Sequence, residues 1–337
     1  MRARKGLRIN INLFTVNYKM GNISIILPTR NNENRIGDLL TSIFSQRVEE
    51  ELELLILDSS DDSTPQIASK YSKKGDLRIV RVEPEDYNYG GTRNLGASLT
   101  SGDFLVFIST DVDIRDDDWL NKLVRPLEDS LVAGVYGRQI PKEDASPMEE
   151  FFIKYTYSND RRVCYLGNTE KLKDLFFSNT NSAIKREIWE KINFPEMLMS
   201  EDQEWAKRVV LAGYKIIYEP NAVVYHSHNY DLKQVFKRYF DSGATLPYVY
   251  NNTKLEPSNF LLQGLTYEIK QFQYLFENGY IQTIPYAFLY DLFKFLGYFF
   301  GTKYKYLPLW LRKSLSMNAN HWDKYNDITI LHNRIKT

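Results

Sequence analysis

Short apolar runs alternate with amphipathic stretches through the first 140 residues. Ile23–Leu27 is a short apolar run of the kind a buried parallel strand requires, with Pro28 ending it. Ile36, Leu39, Leu40, Ile43 and Phe44 then recur at helical spacing. Leu52–Leu57 predicts a second strand, Gln66–Tyr71 a short helix and Leu77–Val82 a third strand. Gly90-Gly91 predicts a break before a helix over Thr92–Thr100, which Gly102 can cap. Phe104–Ser109 predicts a fourth strand, Trp119–Leu127 a helix and Gly134–Ile140 a further strand. Such alternation is the sign of an α/β, doubly wound parallel sheet.

The second half is less regular. Ser200-Glu201-Asp202-Gln203 has the form of a capping box, with Ser200 as N-cap of a helix that runs to about Ala212 before Gly213. Tyr214–Tyr218 and Ala222–His226 predict two strands around a Glu219-Pro220-Asn221 turn. From Leu232 onward the pattern is helical and aromatic. The division expected is a flexible extension over 1–20, a catalytic domain over 21–245 and a helical, aromatic-rich region over 246–337.

Composition narrows the function. The chain has 337 residues, enough for one main domain with an appendage. Its 43 basic and 43 acidic residues balance, which removes the electrostatic footprint of a nucleic-acid binder. One cysteine, Cys164, excludes an internal disulfide and a cysteine metal cluster, and suits a reducing cytoplasm. No G-x-G-x-x-G follows the first predicted strand, which disfavours a nicotinamide enzyme, and no P-loop signature is present.

The acidic residues carry the chemistry. In an open α/β sheet, ligands bind outside the carboxyl ends of the strands. Asp58 follows one apolar run, Asp111-Val112-Asp113 follows another, and Glu201-Asp202 opens a helical segment. A D-x-D after a strand can hold Mg²⁺ or Mn²⁺ on carboxylate oxygens, although Asp116-Asp117-Asp118 follows and a solvated turn is an equal reading. Asp202 can serve as a general base, or it can merely favour the helix dipole. His226 and His228 would face one side of an extended stretch and could share a ligand or metal. Lys233, Lys237 and Arg238 fall at helical spacing, either to neutralise phosphate or as a solvated basic face. Asp58 could accept a ring N–H of uracil or thymine, and Arg93 could fork onto a phosphate or pair on the surface.

Taken in order, several segments resemble family 2 glycosyltransferases of the GT-A fold, in their rhamnosyltransferase-like branch. They are Ser24–Glu33, Leu57-Asp58-Ser59-Ser60, Asn88–Ala97, Val135–Pro141, Asn181–Ile184, Glu201–Arg208 and Tyr225–Tyr230, with Gly297–Gly301, Leu307-Pro308 and Trp310-Leu311 beyond. The resemblance implies an inverting transfer in one displacement with a divalent cation. It implies a donor nucleotide pocket of Pro28, Thr29, Arg30, Glu33, Asp58, Arg93 and Thr110. Asp202 matches the base. Asp111 matches the metal-binding aspartate, with Asp113 and His226 completing the expected metal set. The D-x-D can also be read as Ser109-Thr110-Asp111, with serine in place of the first acid. Glu201, Trp205, His228 and Arg238 are expected near the acceptor or diphosphate. Gln234 is followed by Arg238-Tyr239 rather than by the spacing Q-x-x-R-W, which argues against a processive polymerase.

The expected function is transfer of a sugar, L-rhamnose from dTDP-rhamnose, to a glycan or lipid-linked glycan. A UDP- or GDP-sugar donor is the alternative within the fold. A non-catalytic glycan-binding assembly subunit is the alternative of another class. Ile284–Phe300 is aromatic-rich, carries Asp291 and Lys294 one turn apart, and is followed by Lys303, Lys305, Arg312 and Lys313. That pattern suits an anionic membrane surface on the cytoplasmic face, or equally a helix packed on the catalytic domain or across a homodimer contact.

Overall fold

A computed structural model describes residues 21–166, 175–250 and 257–329. The expected extension over 1–20 lies outside them. Eight strands form one sheet: β1 (Ile23–Thr29), β2 (Leu52–Asp58), β3 (Asp76–Arg81), β4 (Phe104–Ile108), β5 (Val132–Ile140), β6 (Arg162–Cys164), β7 (Asn181–Lys185) and β8 (Lys215–Tyr225). Their order is β3-β2-β1-β4-β7-β5-β8-β6. The helices are α1 (Ile36–Phe44), α2 (Thr64–Ser69), α3 (Tyr89–Ser98), α4 (Trp119–Val124), α5 (Pro147–Thr156), α6 (Arg186–Trp189), α7 (Glu201–Leu211), α8 (Leu232–Tyr250), α9 (Pro257–Glu277), α10 (Ile284–Thr302), α11 (Leu309–Leu315) and α12 (Ala319–Lys324).

The sheet is mixed rather than wholly parallel. β7 pairs antiparallel with both β4 and β5, and β6 pairs antiparallel with β8. β5 therefore runs parallel to β4, and β8 runs parallel to β5. The consequence is functional: the carboxyl ends of β1, β2, β4, β5 and β8 all open on one edge of the sheet.

Side-chain alternation makes two cores. Ile23, Ile25, Leu27, Leu54, Ile56 and Val106 pack on one face with α1 and α4. Ile26, Leu55, Leu57, Leu105 and Phe107 pack on the other with Ala97 and the α7 residues Trp205, Ala206, Val209 and Val210.

Several boundaries differ from the sequence reading for clear reasons. Pro28 lies inside β1, where β4 pairing has already stopped at Ile26, so its missing N–H costs no ladder bond on that side. α3 begins at Tyr89, with Asn88 as N-cap accepting the Gly91 amide at 3.0 Å. Gly90-Gly91 is thus the first helical turn and not a break. A Cβ on Gly90 would sit 2.0 Å from the Pro195 carbonyl oxygen, so only glycine allows this approach. β8 is one strand through Pro220. Its register against β5 jumps from Glu219 to Val223, and the unpaired bulge takes the proline.

The C-terminal helices pack closely on the sheet domain. α8 continues across residue 245 and lies against α10. A Cβ at Gly297 would lie 2.3 Å from the Phe236 carbonyl oxygen and one at Gly301 2.1 Å from that of Phe240, so the two backbones touch there. Farther on, the Leu198 amide donates to the Ile328 carbonyl at 2.9 Å and Met197 pairs with Thr329. The end of the described chain is thereby fastened to the loop that leads into Glu201. No helix among the described residues is long and apolar enough to cross a membrane.

Candidate active site

At the carboxyl edge of the sheet, a cavity of about 320 Å³ is lined by Pro28, Arg30, Asn32, Tyr87, Tyr89, Arg93 and Ile108–Asp111. Of the expected donor residues, Pro28, Arg30, Arg93 and Thr110 line it. Thr29, Glu33 and Asp58 do not. Glu33 accepts the Ser63 amide at 3.1 Å, and Asp58 is buried, 3.5 Å from Arg81 on the neighbouring strand. Thr29 is buried with no partner for its hydroxyl. Asn31 accepts from the Asp61 amide at 2.8 Å, and Asn32 donates to the Thr110 carbonyl at 2.7 Å. The loops after β1, β2 and β4 are laced together in this way. A larger open depression of about 790 Å³ lies at the β6–β8 edge. Of its four cations, Lys122, Arg161 and Lys215 pair with carboxylates, Arg125 being the fourth, and none of the acids discussed below faces it.

Asp111 stands at the cavity mouth with both histidines. Its Oδ2 lies 3.2 Å from His226 Nε2 and 3.6 Å from His228 Nδ1. One donor atom from each of these three residues falls within 4.8 Å of the others, the spacing of a metal-binding group. Burial alone would raise the Asp111 carboxyl. The hydrogen bond from His226 and the charges of both histidines outweigh it and hold Asp111 well below the usual carboxylate range. Burial, and then His226, push the His228 imidazole down to about 4, which leaves it neutral at pH 7.

Gln139, near the end of β5, fixes how His226 presents itself. Its Nε2 donates to Tyr157 Oη and to Ser178 Oγ, so its Oε1 accepts from His226 Nδ1 at 2.8 Å. With Nδ1 engaged there, His226 Nε2 is the atom turned to the Asp111 carboxylate, 3.2 Å away. One carboxylate and two imidazoles around one point are a donor set that fits a divalent metal ion.

The expected metal ligand Asp113 is not in this group. Its backbone bridges to Tyr225, and its carboxylate lies 3.4 Å from the buried Lys142, which also donates to the Asp111 carbonyl at 2.6 Å. Lys142 already neutralises the second acid of the D-x-D. His228, expected near the acceptor, instead joins Asp111 and His226.

α7 brings in the second half of the site. Ser200 does not cap it. The residue adopts a left-handed conformation, φ 65° and ψ 30°, and its Oγ lies 3.5 Å from Thr245 Oγ1. Asp202 takes over the amides, accepting from Gln203 at 2.8 Å and from Asn179 at 3.2 Å. Burial first, and then the adjacent Glu201 carboxylate, raise the Asp202 carboxyl above the usual range. Glu201 is not an open contact for a substrate. It is buried in an ion pair with Arg93 at 2.8 Å, and Arg93 also donates to the Tyr89 carbonyl at 3.0 Å. Trp205 is a core residue and no acceptor contact. It is fully buried between Phe177 and Phe194, with its Nε1 donating to the Ile192 carbonyl at 2.7 Å. Arg238 makes no hydrogen bond or ion pair through its guanidinium among the described residues, and it lies in the field of Tyr230, Tyr89, Asp241 and Asp202.

The turn Ser178-Asn179-Thr180 joins the two halves. Ser178 binds Gln139, Asn179 binds Asp202, and the Thr180 carbonyl accepts from the Ser109 amide at 3.1 Å. Sequence reasoning missed this turn, together with Gln139, Lys142, Tyr87 and Tyr89. The signals available were the position of Gln139 at the end of a predicted strand and the presence of Gln139 and Tyr89 in segments that carry the family resemblance.

A sheet edge that gathers a nucleotide-sized cavity, an Asp-His-His group and a buried carboxylate at a helix start defines a nucleotide-sugar transferase of the GT-A fold. Residues 24–192 match the profile of the family described as "Glycosyl transferase family 2". The chain is 34% identical to the O-antigen chain rhamnosyltransferase RfbN of Salmonella typhimurium over 89% of its length and 96% of that protein. It is 33% identical to the O-antigen chain rhamnosyltransferase WbaN of Salmonella anatum, over 90% and 96%. The fold is shared with the mannosyltransferase PcManGT from Pyrobaculum calidifontis, solved with GDP-Man and Mn²⁺, at a TM-score of 0.59, 18% identity and coverage of 91% and 89%. This chain therefore belongs to glycosyltransferase family 2, in its rhamnosyltransferase-like branch, and is a glycosyltransferase.

Proposed function

We propose that the enzyme transfers L-rhamnose from dTDP-L-rhamnose, with inversion, to a lipid-linked glycan. The observation that carries the mechanism is the Asp111–His226–His228 group at the donor cavity, tied through the Ser178–Thr180 turn to Asp202. The likeness to two O-antigen rhamnosyltransferases over nearly the whole chain supports the sugar.

In this reading the nucleotide occupies the cavity between Pro28, Tyr87, Tyr89 and Thr110. The Tyr rings and the Arg30 guanidinium offer flat surfaces for a base and charge for phosphate. Asp111, His226 and His228 hold the cation, and two imidazole nitrogens favour Mn²⁺ over the oxygen-seeking Mg²⁺. Bound there, the ion supplies Lewis-acid stabilisation of the diphosphate leaving group. Arg238, whose guanidinium is uncommitted, faces the same developing charge. Asp202, held by two amides, removes the proton from the acceptor hydroxyl as its oxygen attacks the anomeric carbon and the bond to the diphosphate breaks. Its raised pKa makes it a stronger base than an exposed aspartate.

The alternative donor is a UDP- or GDP-sugar. A screen of nucleotide release with dTDP-L-rhamnose and with UDP- and GDP-sugars tests the choice. Release from dTDP-L-rhamnose at least tenfold above the others is expected. Preference for a UDP- or GDP-sugar overturns the rhamnose assignment and leaves the transferase reading intact.

A further inference from the structure

α10 turns its charged pair inward. On α10, Asp291 and Lys294 form a buried ion pair at 3.0 Å. Gln271 of α9 donates to Asp291, and the Lys294 ammonium lies 4.9 Å from the Tyr290 ring centre and 5.3 Å from that of Tyr267. The charged pair of α10 thus points into the protein beside Ala287 and Tyr290, while several of its phenylalanines point out. Phe288, Phe295 and Phe299 of α10 and Leu265, Ile269 and Phe276 of α9 are 48–66% exposed. Phe288, Phe295 and Phe299 follow the i, i+7, i+11 spacing of one helical stripe, roughly 16 Å long at the helical rise. A stripe of this size left in water marks an interaction surface.

Charge identifies the occupant. From Ile284 to Leu315 the sequence holds a single acid, Asp291, and that acid is buried. Directly after α10 stand exposed Lys303 and Lys305, with Tyr306 at 85% and Trp310 at 69% exposure. Exposed phenylalanines on α10, followed directly in the chain by exposed lysines, Tyr306 and Trp310, match the boundary of an anionic bilayer. A second copy of α10 brings no exposed carboxylate to meet those lysines, and the acids of α9 are the half-buried Glu268 and Glu277 at its far end. α10 is not apolar enough to span, so the contact lies in the plane of the headgroups.

We propose that this face of α9–α10, with the basic aromatic segment after it, docks the enzyme on the headgroup layer of an anionic membrane. The surface gives a reason for the helical region of an enzyme whose acceptor we read as lipid-linked, but its evidence is independent of donor and acceptor. Plain lipid vesicles test it without turnover, so failure here is distinct from failure of the transfer reading.

The experiment is flotation of the full chain with vesicles of phosphatidylcholine alone and of phosphatidylcholine with phosphatidylglycerol, at low and high salt, with light scattering on the same protein. The expected result is flotation with the anionic vesicles, little with the neutral ones, and loss at high salt. The variant carrying Phe288→Ser, Phe295→Ser and Phe299→Ser is expected to lose flotation. Lys303→Glu with Lys305→Glu alters exposed side chains only and keeps the test open if the first variant fails to fold. It is expected to weaken binding more than tenfold, since each basic residue near such a surface contributes about fivefold. Absence of flotation by the intact chain overturns the proposal. So does a dimer that the serine variant dissociates while flotation is unchanged.

Discussion

The buried Arg93–Glu201 pair offers a test that separates positioning from substrate contact. The two groups meet at 2.8 Å with side chains 9% and 5% exposed. At an effective dielectric of about 20 their gross attraction is roughly 6 kcal/mol. Desolvation offsets much of this, and measured losses on breaking such pairs run at about 3–5 kcal/mol because one charge stays buried alone. Arg93→Met and Glu201→Leu should each destabilise by about that amount, and the double variant by at least about 2 kcal/mol less than their sum. Urea unfolding at pH 8 measures the cycle. A second readout concerns Asp202, whose carboxyl is raised in part by the Glu201 charge, to about 7. Glu201→Gln removes that charge, so the Asp202 pKa falls. A base works ionised, so the acidic limb of the kcat/KM profile should move to lower pH. Coupling under about 0.5 kcal/mol together with an unmoved limb would refute the reasoning.

Other outcomes follow from the same geometry. Asp202→Asn should lower kcat by about 10²–10⁴-fold in a transfer assay. Because burial raises the folded-state pKa of Asp202, wild-type stability falls as pH rises from the unfolded value toward about 7, so this variant should compare more favourably with wild type in melting temperature at pH 8 than at pH 5. Gln139→Leu frees the His226 tautomer and should weaken Mn²⁺ binding by about 10–100-fold, read by calorimetric titration, with the fold retained by circular dichroism. Trp205→Ala should cost about 3–5 kcal/mol in urea unfolding, since it empties a core site, whereas an acceptor contact would change KM and leave stability alone.

Much of this was legible in sequence because it is local. The runs Ile23–Leu27, Leu52–Leu57 and Phe104–Ser109 mark strands by burial on both faces, and the acids after them mark the functional edge. β7 escaped notice because Asn181–Lys185 is short and has polar ends, yet it reverses the direction of the sheet between β4 and β5. The start of α3 was misplaced because what demands glycine at position 90 is Pro195, far along the chain. The same holds for the site. The two histidines announce themselves by type and spacing, whereas Asp111 and Asp202 stand out through the family resemblance, local sequence leaving a solvated turn and a helix dipole open. That Lys142 neutralises Asp113, that Gln139 orients His226 and that Trp205 fills the core are pairings across long sequence separations, which only the fold reveals.

The central claim is that the Asp111–His226–His228 group serves nucleotide-sugar transfer with a divalent ion. Its most direct measurement is dTDP release from dTDP-L-rhamnose, with a glycan acceptor, by wild type and Asp111→Ala, each treated with EDTA and then resupplied with Mn²⁺. A metal Lewis acid contributes several kcal/mol to such a step, so turnover should fall by orders of magnitude on chelation. Mn²⁺ should restore it in wild type and leave Asp111→Ala inactive. Full turnover in EDTA, or an Asp111→Ala variant within a few-fold of wild type, would contradict the account.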